Sequence, residues 1–236
     1  MIPIGDDDRP RGFPLAVALL IAVNIWVFFL EAGAAHPDAF INSFAIIPYD
    51  ITRNIVLAPP SPPSPLLTLI SSQFLHDGFL HIASNMLFLF VFGPEVESFT
   101  GSVRFILFYL ACGVIAGIAQ TSVMPSSHIP SIGASGAIAG VLGAFLLKFP
   151  GHHVRTIVPI GCFPLFLRLP AVLVIGFWAV TQFVHGYGVL STRVLSEQGG
   201  GIAYFAHIGG FLAGVLLIGL FAKPGAGRRR YGYRTR

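Results

Sequence analysis

Charged side chains are scarce in this chain. Asp, Glu, Lys and Arg make up only 10% of its 236 residues, whereas hydrophobic residues reach 54% and the mean hydropathy is +0.78. An ordinary soluble domain carries about 25% charged residues, so too few charges are present here to cover a water-exposed surface. The composition excludes a soluble globular protein and predicts a polytopic membrane protein embedded in the lipid bilayer.

Cysteine is also nearly absent, since the chain has only Cys112 and Cys162. Two isolated cysteines give no disulfide framework, and the sequence contains no CxxC pair and no HExxH motif. We therefore expect no metal and no other cofactor. A metal or haem site built on His76, His81 and His207 is the alternative, although no carboxylate accompanies these histidines.

Long apolar runs, by contrast, are frequent. A bilayer core about 30 Å thick requires about 20 largely apolar residues in a spanning helix. Proline, glycine and charged residues divide the chain into six candidate spans: Pro14 to Leu30, Leu80 to Val96, Val103 to Met124, Gly133 to Lys148, Leu169 to Leu190 and Ile202 to Ala222. The sequence thus predicts an all-α, six-transmembrane-helix bundle over residues 14–222, with tails at 1–13 and 223–236.

Two segments of the amino-terminal third need separate interpretation. The small residues Ala32, Gly33 and Ala34 resemble a signal-peptide cleavage site, but the long apolar run and the three aspartates at 6–8 favour a transmembrane helix. The proline-rich stretch 58–65 is expected to be an extended linker, because proline cannot occupy a helix interior.

Lysine and arginine orient the bundle, because cytoplasmic loops carry an excess of both. With both termini cytoplasmic, only Arg53 and Arg193 of the 14 basic residues lie outside. The inner side holds Arg9, Arg11, Arg104, Lys148, Arg155, Arg168, Lys223, Arg228, Arg229, Arg230, Arg234 and Arg236. The pI of about 9.4 is therefore explained by membrane topology and not by a nucleic-acid partner. We expect an integral protein of a bacterial-type plasma membrane.

This orientation brings four polar side chains to a similar depth below the outer surface. His81 and Asn85 lie early in the second span, Ser135 opens the fourth and His207 lies just over one turn into the sixth. All three helices run inward. Polar groups inside a membrane are costly, and ionisable ones indicate function. The fourth span, at 16 residues, is short, so Ser135 is expected at the floor of a cavity open to outside water.

The side-chain types indicate acyl transfer. Serine is a weak nucleophile until a base removes its proton, and His207 is a suitable base for Ser135. Every Asp and Glu lies outside the spans or near their ends, so we expect a Ser–His dyad and not a triad. Backbone amides at the start of the fourth helix can stabilise an oxyanion. His81 and Asn85 are spaced i, i+4, so they share a helix face and can donate to the same point.

Three motifs resemble the rhomboid intramembrane serine proteases: HIASN at 81–85, GASG at 133–136 and AHIGGFLAG at 206–214. All three occur in order on the second, fourth and sixth spans. The resemblance covers about residues 14–222. It implies that Ser135 is the nucleophile and His207 the general base. It also implies that His81, Asn85 and the backbone amide of Ser135 bind the oxyanion, and that the substrates are transmembrane segments of other membrane proteins, cut near their outer ends.

The sequence departs from the family pattern at two places. Ala139 stands where members often carry an aromatic residue that packs against the base histidine, and no Trp-Arg pair occurs in the first loop, residues 33–79. A non-catalytic rhomboid-like scaffold that binds transmembrane clients is the second hypothesis. A transporter is the third, disfavoured because no inverted repeat or membrane carboxylate is visible.

Several other residues have structural interpretations. Gly210 and Gly214 form a GxxxG face on the sixth span, predicted to pack on the fourth and bring His207 to Ser135. Glu97 and Arg104 near the inner face are interpreted as a structural pair with a helix-capping role.

Overall fold

The computed structural model describes residues 1–8, 10, 12–56, 58, 60–161, 163–192 and 203–225. Some residues used in the sequence analysis therefore lie outside the described part of the chain. They are Ile202, predicted to begin the sixth span, together with Cys162, Arg9, Arg11, Arg193, Arg228, Arg229, Arg230, Arg234 and Arg236.

The described residues are mostly helical. In chain order the helices are α1 (Leu15–Ala32), α2 (Pro37–Phe44), α3 (Pro48–Arg53), α4 (Thr68–Ser71, between 3₁₀ turns Pro65–Leu67 and Ser72–Phe74), α5 (Phe79–Thr100), α6 (Ser102–Val123), α7 (Ser135–Lys148), α8 (Ala171–Thr192) and α9 (Tyr204–Leu217). Helices α1, α5, α6 and α8 are long and apolar enough to cross a membrane. Helices α7 and α9 have 14 residues each, about 21 Å. The predicted membrane helical bundle is confirmed.

Span boundaries differ from the predicted ones at a few positions. The fourth helix begins at Ser135 rather than Gly133, because Gly133 has a φ of 117° that a helix cannot contain. The fifth begins at Ala171 rather than Leu169, because Leu169 and Pro170 end a β-strand. Within the predicted linker 58–65, the described residues 58 and 60–64 contain no helix, whereas Pro65 begins a 3₁₀ turn.

A small antiparallel sheet accompanies the bundle and was absent from the all-α prediction. Its strands are β1 (Ile2–Asp6), β2 (His153–Ile160) and β3 (Phe163–Pro170), in the order β1-β2-β3. In β2, Val154 and Thr156 are buried and Arg155 between them is exposed, the alternation of a strand with one covered face. Residues interpreted as an amino-terminal tail and a cytoplasmic loop therefore pair with each other.

Charged groups fasten β1 to its neighbours. Asp7 forms ion pairs with Arg155 at 3.1 Å and Arg168 at 3.2 Å. Asp6 is buried, and its carboxylate lies 3.4 Å from Nδ1 of His152, close to the buried Glu95 of α5. Burial lowers the pKa of His152, but the hydrogen bond and the charge of Asp6 outweigh this effect and leave that pKa above its ordinary value.

Glycines allow α7 and α9 to approach closely. A Cβ at Gly210 would collide with the carbonyl oxygen of Gly136, and a Cβ at Gly214 would collide with that of Gly140. The predicted packing of the GxxxG face on the fourth span is confirmed. Because small residues let the two backbones touch, the helix that carries His207 lies directly against the helix that carries Ser135.

The predicted pairing of Glu97 with Arg104 is wrong, although the predicted helix-capping role is correct for Glu97. The Glu97 carboxylate accepts the backbone N–H groups of Ala16 at 3.0 Å and Val17 at 2.9 Å. It therefore caps the amino terminus of α1, where unpaired N–H groups favour a negative charge. Arg104 instead donates to the carbonyl of Ala222 at 3.2 Å.

Candidate active site

The structure brings Ser135 and His207 into hydrogen-bond contact. The serine Oγ lies 2.7 Å from Nε2 of His207. Ser135 is the first residue of α7 and His207 is the fourth of α9, so the close packing of these two helices sets the distance. His207 is buried, with 8% of its surface exposed. A buried histidine that contacts a serine hydroxyl through one ring nitrogen is placed to accept its proton.

The other ring nitrogen of His207 is held by α8. Nδ1 lies 2.7 Å from the side-chain oxygen of Gln182. An amide oxygen only accepts, so Nδ1 carries the hydrogen and Nε2 presents its lone pair to Ser135. The amide nitrogen of Gln182 donates to the hydroxyl of Thr181 at 3.2 Å, which orients the oxygen toward His207. This contact fixes the tautomer in which His207 can act as a base.

An aromatic ring from α8 also contacts His207. The ring centroid of Trp178 lies 5.8 Å from that of His207, with the planes tilted by 40°. Ala139, where the family often has an aromatic residue, is fully buried on α7. The aromatic contact with the His207 ring therefore comes from Trp178 on the fifth span.

His81 and Asn85 converge on the segment that precedes Ser135. A Cβ at Gly133 would lie 2.8 Å from Nε2 of His81 and 3.7 Å from Nδ2 of Asn85. Asn85 is 6% exposed, and its Nδ2 has no hydrogen-bond partner among the described residues. Because an unsatisfied buried donor costs free energy, Nδ2 of Asn85 is available to a hydrogen-bond acceptor that binds beside Gly133.

Gly133 is required for this approach. Residues with a side chain rarely adopt its φ of 117°, and a Cβ here would lie only 2.8 Å from Nε2 and 2.9 Å from Cε1 of His81. The segment is fixed by the N–H of Gly133 donating to the carbonyl of Ser72 at 2.8 Å and by the bridge between Ile46 and Ser131. The first loop therefore supports the strand-like backbone that leads into α7.

The positions of the three histidines do not support the alternative metal or haem site. His76, His81 and His207 do not bring ring nitrogens within 4.8 Å of one another, and the three-residue group of that kind in the described part of the chain is Asp6, Glu95 and His152. His76 is fully buried between α4 and α5. Burial, and to a smaller extent the nearby His81, lower the pKa of His76 to about 4.

The structure thus gathers all four polar residues that the sequence placed at one depth. It adds Gln182 and Trp178, which the sequence analysis did not assign to the site. In the sequence, Gln182 follows Trp178 by four residues on a predicted membrane helix. That spacing is also typical of ordinary helix packing, so it did not indicate a role in the site. The assembled groups can activate a hydroxyl and stabilise negative charge next to it.

Comparisons with known proteins identify the family of this chain. Residues 63–224, more than half of the chain, match the family model described as Rhomboid domain. The chain is 30% identical over 218 residues to Rhomboid protease GluP of Bacillus subtilis, which covers 92% of this chain and 37% of that protein. It is 28% identical to the chloroplastic Rhomboid-like protein 11 of Arabidopsis thaliana, over 65% of this chain and 52% of that protein.

A third relative is the mitochondrial Presenilin-associated rhomboid-like protein of Bos taurus, 31% identical over 58% of this chain and 34% of that protein. The chain therefore spans between about a third and a half of the length of these curated relatives. The family match, the membrane helices and the order of the three motifs lead to one conclusion: this chain is an integral membrane protein that belongs to the rhomboid family.

Proposed function

We propose that this chain is an intramembrane serine endopeptidase that cleaves transmembrane segments of other membrane proteins near their outer ends. The observation that carries the proposal is the 2.7 Å contact between Ser135 Oγ and His207 Nε2, with Nδ1 of the same ring held by Gln182. The name of the Bacillus subtilis relative, a rhomboid protease, supports the same activity.

The proposed reaction has two steps. In the first, His207 accepts the hydroxyl proton of Ser135 as Oγ attacks the scissile carbonyl, and then gives that proton to the leaving amine, so that an acyl-enzyme remains. In the second, His207 takes a proton from water, the resulting hydroxide attacks the ester, and the proton returns to Ser135. The dyad uses an amide oxygen where a triad uses a carboxylate, because Gln182 accepts from Nδ1.

Negative charge develops on the carbonyl oxygen in each step. We assign its stabilisation to Nδ2 of Asn85, Nε2 of His81 and the backbone N–H of Ser135. Ser135 opens α7, where amide groups have no partner within the helix and the helix dipole favours an anion. Donors fixed before the reaction stabilise the transition state without reorganisation.

The expected substrates follow from the chemistry of a helical target. A transmembrane helix hides its carbonyls in backbone hydrogen bonds, so it must unwind locally before Ser135 can attack. Segments with small or helix-weakening residues near the outer face are therefore favoured. The charge distribution supports an orientation in which both termini are cytoplasmic and the site opens to the outer side, in a bacterial-type plasma membrane.

The test is cleavage of a generic transmembrane substrate by purified protein in detergent. Wild type should cleave, and Ser135→Ala and His207→Ala should not. Ser122→Ala is the matched control, because this exposed serine on α6 only donates to the carbonyl of Ile118. A folded wild-type protein that binds the substrate and never cuts it would instead favour the catalytically silent rhomboid-like scaffold.

A further inference from the structure

The hairpin formed by β2 and β3 has an apolar tip next to its turn. Phe163 is 79% exposed, Phe166 66% and Leu165 44%. Side chains alternate along a strand, so Phe163 and Leu165 lie on one face of the hairpin and Phe166 on the other. Residues 156–167, TIVPIGCFPLFL, contain no Asp, Glu, Lys or Arg. The tip therefore presents large apolar side chains on both faces, a surface that indicates an apolar partner.

The charged residues of the hairpin lie at its base. Arg155 and Arg168 are register partners, and both form ion pairs with Asp7. From Arg168 back to Phe163 the strand spans about 17 Å, at about 3.4 Å per residue. The headgroup layer on each side of a bilayer is only about 5–8 Å thick. With its arginines at headgroup depth, a hairpin directed into the membrane thus reaches the acyl chains.

The sheet does run along the membrane helices. Asp6, the last residue of β1, lies beside Glu95 of α5. Met1, just before the other end of that strand, lines a cavity together with Phe88 of α5 and Trp178 of α8. Phe88 precedes Glu95 by seven residues, about 10 Å along the helix. The strands therefore extend from the inner-end charges toward the end of the bundle that carries the candidate active site.

The tip is also continuous with a lipid-facing helix surface. Pro170 ends β3 and Ala171 begins α8, so no linker separates the hairpin from this helix. Helix α8 is long and apolar enough to cross a membrane, and its side chains Leu173 and Phe177 are exposed. In an integral membrane protein these side chains face lipid, so the hairpin starts at a surface that lipid already covers.

Prolines remove backbone donors from the free edges of the hairpin. Pro159 and Pro164 are register partners, and neither has an N–H, so this pair is of the non-hydrogen-bonded kind and both residues face outward. Directions alternate along a strand, so Pro170 faces outward too. Fewer unpaired donors lower the cost of contact with lipid. The same prolines prevent another strand from pairing with β3, which favours lipid over a protein strand as the partner.

We propose that the apolar tip of the β2–β3 hairpin is inserted in the lipid bilayer beside α8. Acyl chains surround Phe163 and Phe166, and Arg155 and Arg168 lie at the headgroup level, where their guanidinium groups can bind lipid phosphates. The segment predicted from the sequence as a cytoplasmic loop is then a re-entrant part of the membrane domain. This placement is independent of the proposed peptidase activity.

The test is spin labelling of purified protein in phospholipid nanodiscs, which leave both membrane faces open to reagents. A nitroxide is attached at Phe163→Cys after Cys112 and Cys162 are replaced by alanine. The references are Phe177→Cys on the lipid face of α8 and His153→Cys at the exposed base of the hairpin. Like the label at 177, the label at 163 should collide more with oxygen, which concentrates in lipid, than with a water-soluble nickel complex. The label at 153 should show the reverse.

A nickel-accessible label at 163, matching the one at 153, would overturn the proposal. Low access to both reagents would also overturn it, because protein and not lipid would then cover the tip. A second measurement keeps the apolar side chains. In nanodiscs, a water-soluble thiol reagent should modify native Cys162 about tenfold or more slowly than a cysteine at 153 in a Cys162→Ser background, because the reactive thiolate is disfavoured in apolar surroundings. Cys112 is buried and adds no background. Equal rates would refute insertion, and neither measurement depends on cleavage.

Discussion

Replacing Gln182 by leucine tests how the base histidine is held. Leucine is similar in size but cannot accept the Nδ1 hydrogen of His207, whose contact with Gln182 is 2.7 Å. His207 is 8% exposed, and an unsatisfied buried donor costs about 1–3 kcal/mol. That cost corresponds to about 5- to 150-fold in kcat. Gln182 is only partly buried, so water can replace part of the lost contact, and we expect the lower part of this range, about 5- to 30-fold.

The assay is the initial cleavage rate of a transmembrane substrate in detergent, with thermal unfolding as the folding control. KM should change little, because Gln182 orients the base and does not bind substrate. Gln182→Glu is the informative companion. A carboxylate also accepts from Nδ1, so activity should persist, with the acid side of the pH profile moved to higher pH. A folded Gln182→Leu protein with wild-type kcat would refute the argument that this contact fixes the His207 tautomer.

Three further outcomes are expected. Asn85→Ala should lower kcat by about 10²–10³, the usual loss for one oxyanion donor, and a folded variant with wild-type turnover would remove Asn85 from the site. Gly133→Ala should abolish most activity while the protein stays folded, since its Cβ would displace His81; unchanged kinetics would show that this approach is not needed. His152→Gln should destabilise the protein more at about pH 6 than at about pH 9. The raised pKa of His152 makes its contact with Asp6 stabilising below the unfolded-state pKa and lost as pH rises through the folded-state value; an equal change in Tm at both pH values would contradict this.

The helical bundle could be predicted from the sequence, because it depends on local information. Apolar length identifies a membrane helix, and the depth of the polar side chains below the outer surface stays a prediction from the direction of each helix. The contact between Gly210 and Gly136 was predictable for a similar reason, since small residues at i, i+4 make a face that another helix can approach.

Other features depend on long-range pairing that local pattern does not encode. The sheet joins residues 2–6 to residues 153–160, and strand pairing at such a separation leaves no periodic signal in either segment. Glu97 was recognised as a capping residue, but its partner proved to be α1, about 80 residues earlier in the chain. Gln182 lies on a helix with several other polar residues, and only the position of α8 beside α9 identifies it as the partner of His207.

The central claim is that Ser135 is a nucleophile activated by His207. Its most direct test is covalent labelling by a fluorophosphonate probe, followed by mass-spectrometric identification of the modified residue. The account predicts one adduct on Ser135, none in Ser135→Ala, a strong decrease in His207→Ala and full labelling in Ser122→Ala. Equal labelling of wild type, Ser135→Ala and His207→Ala, or an adduct on another residue, would contradict it.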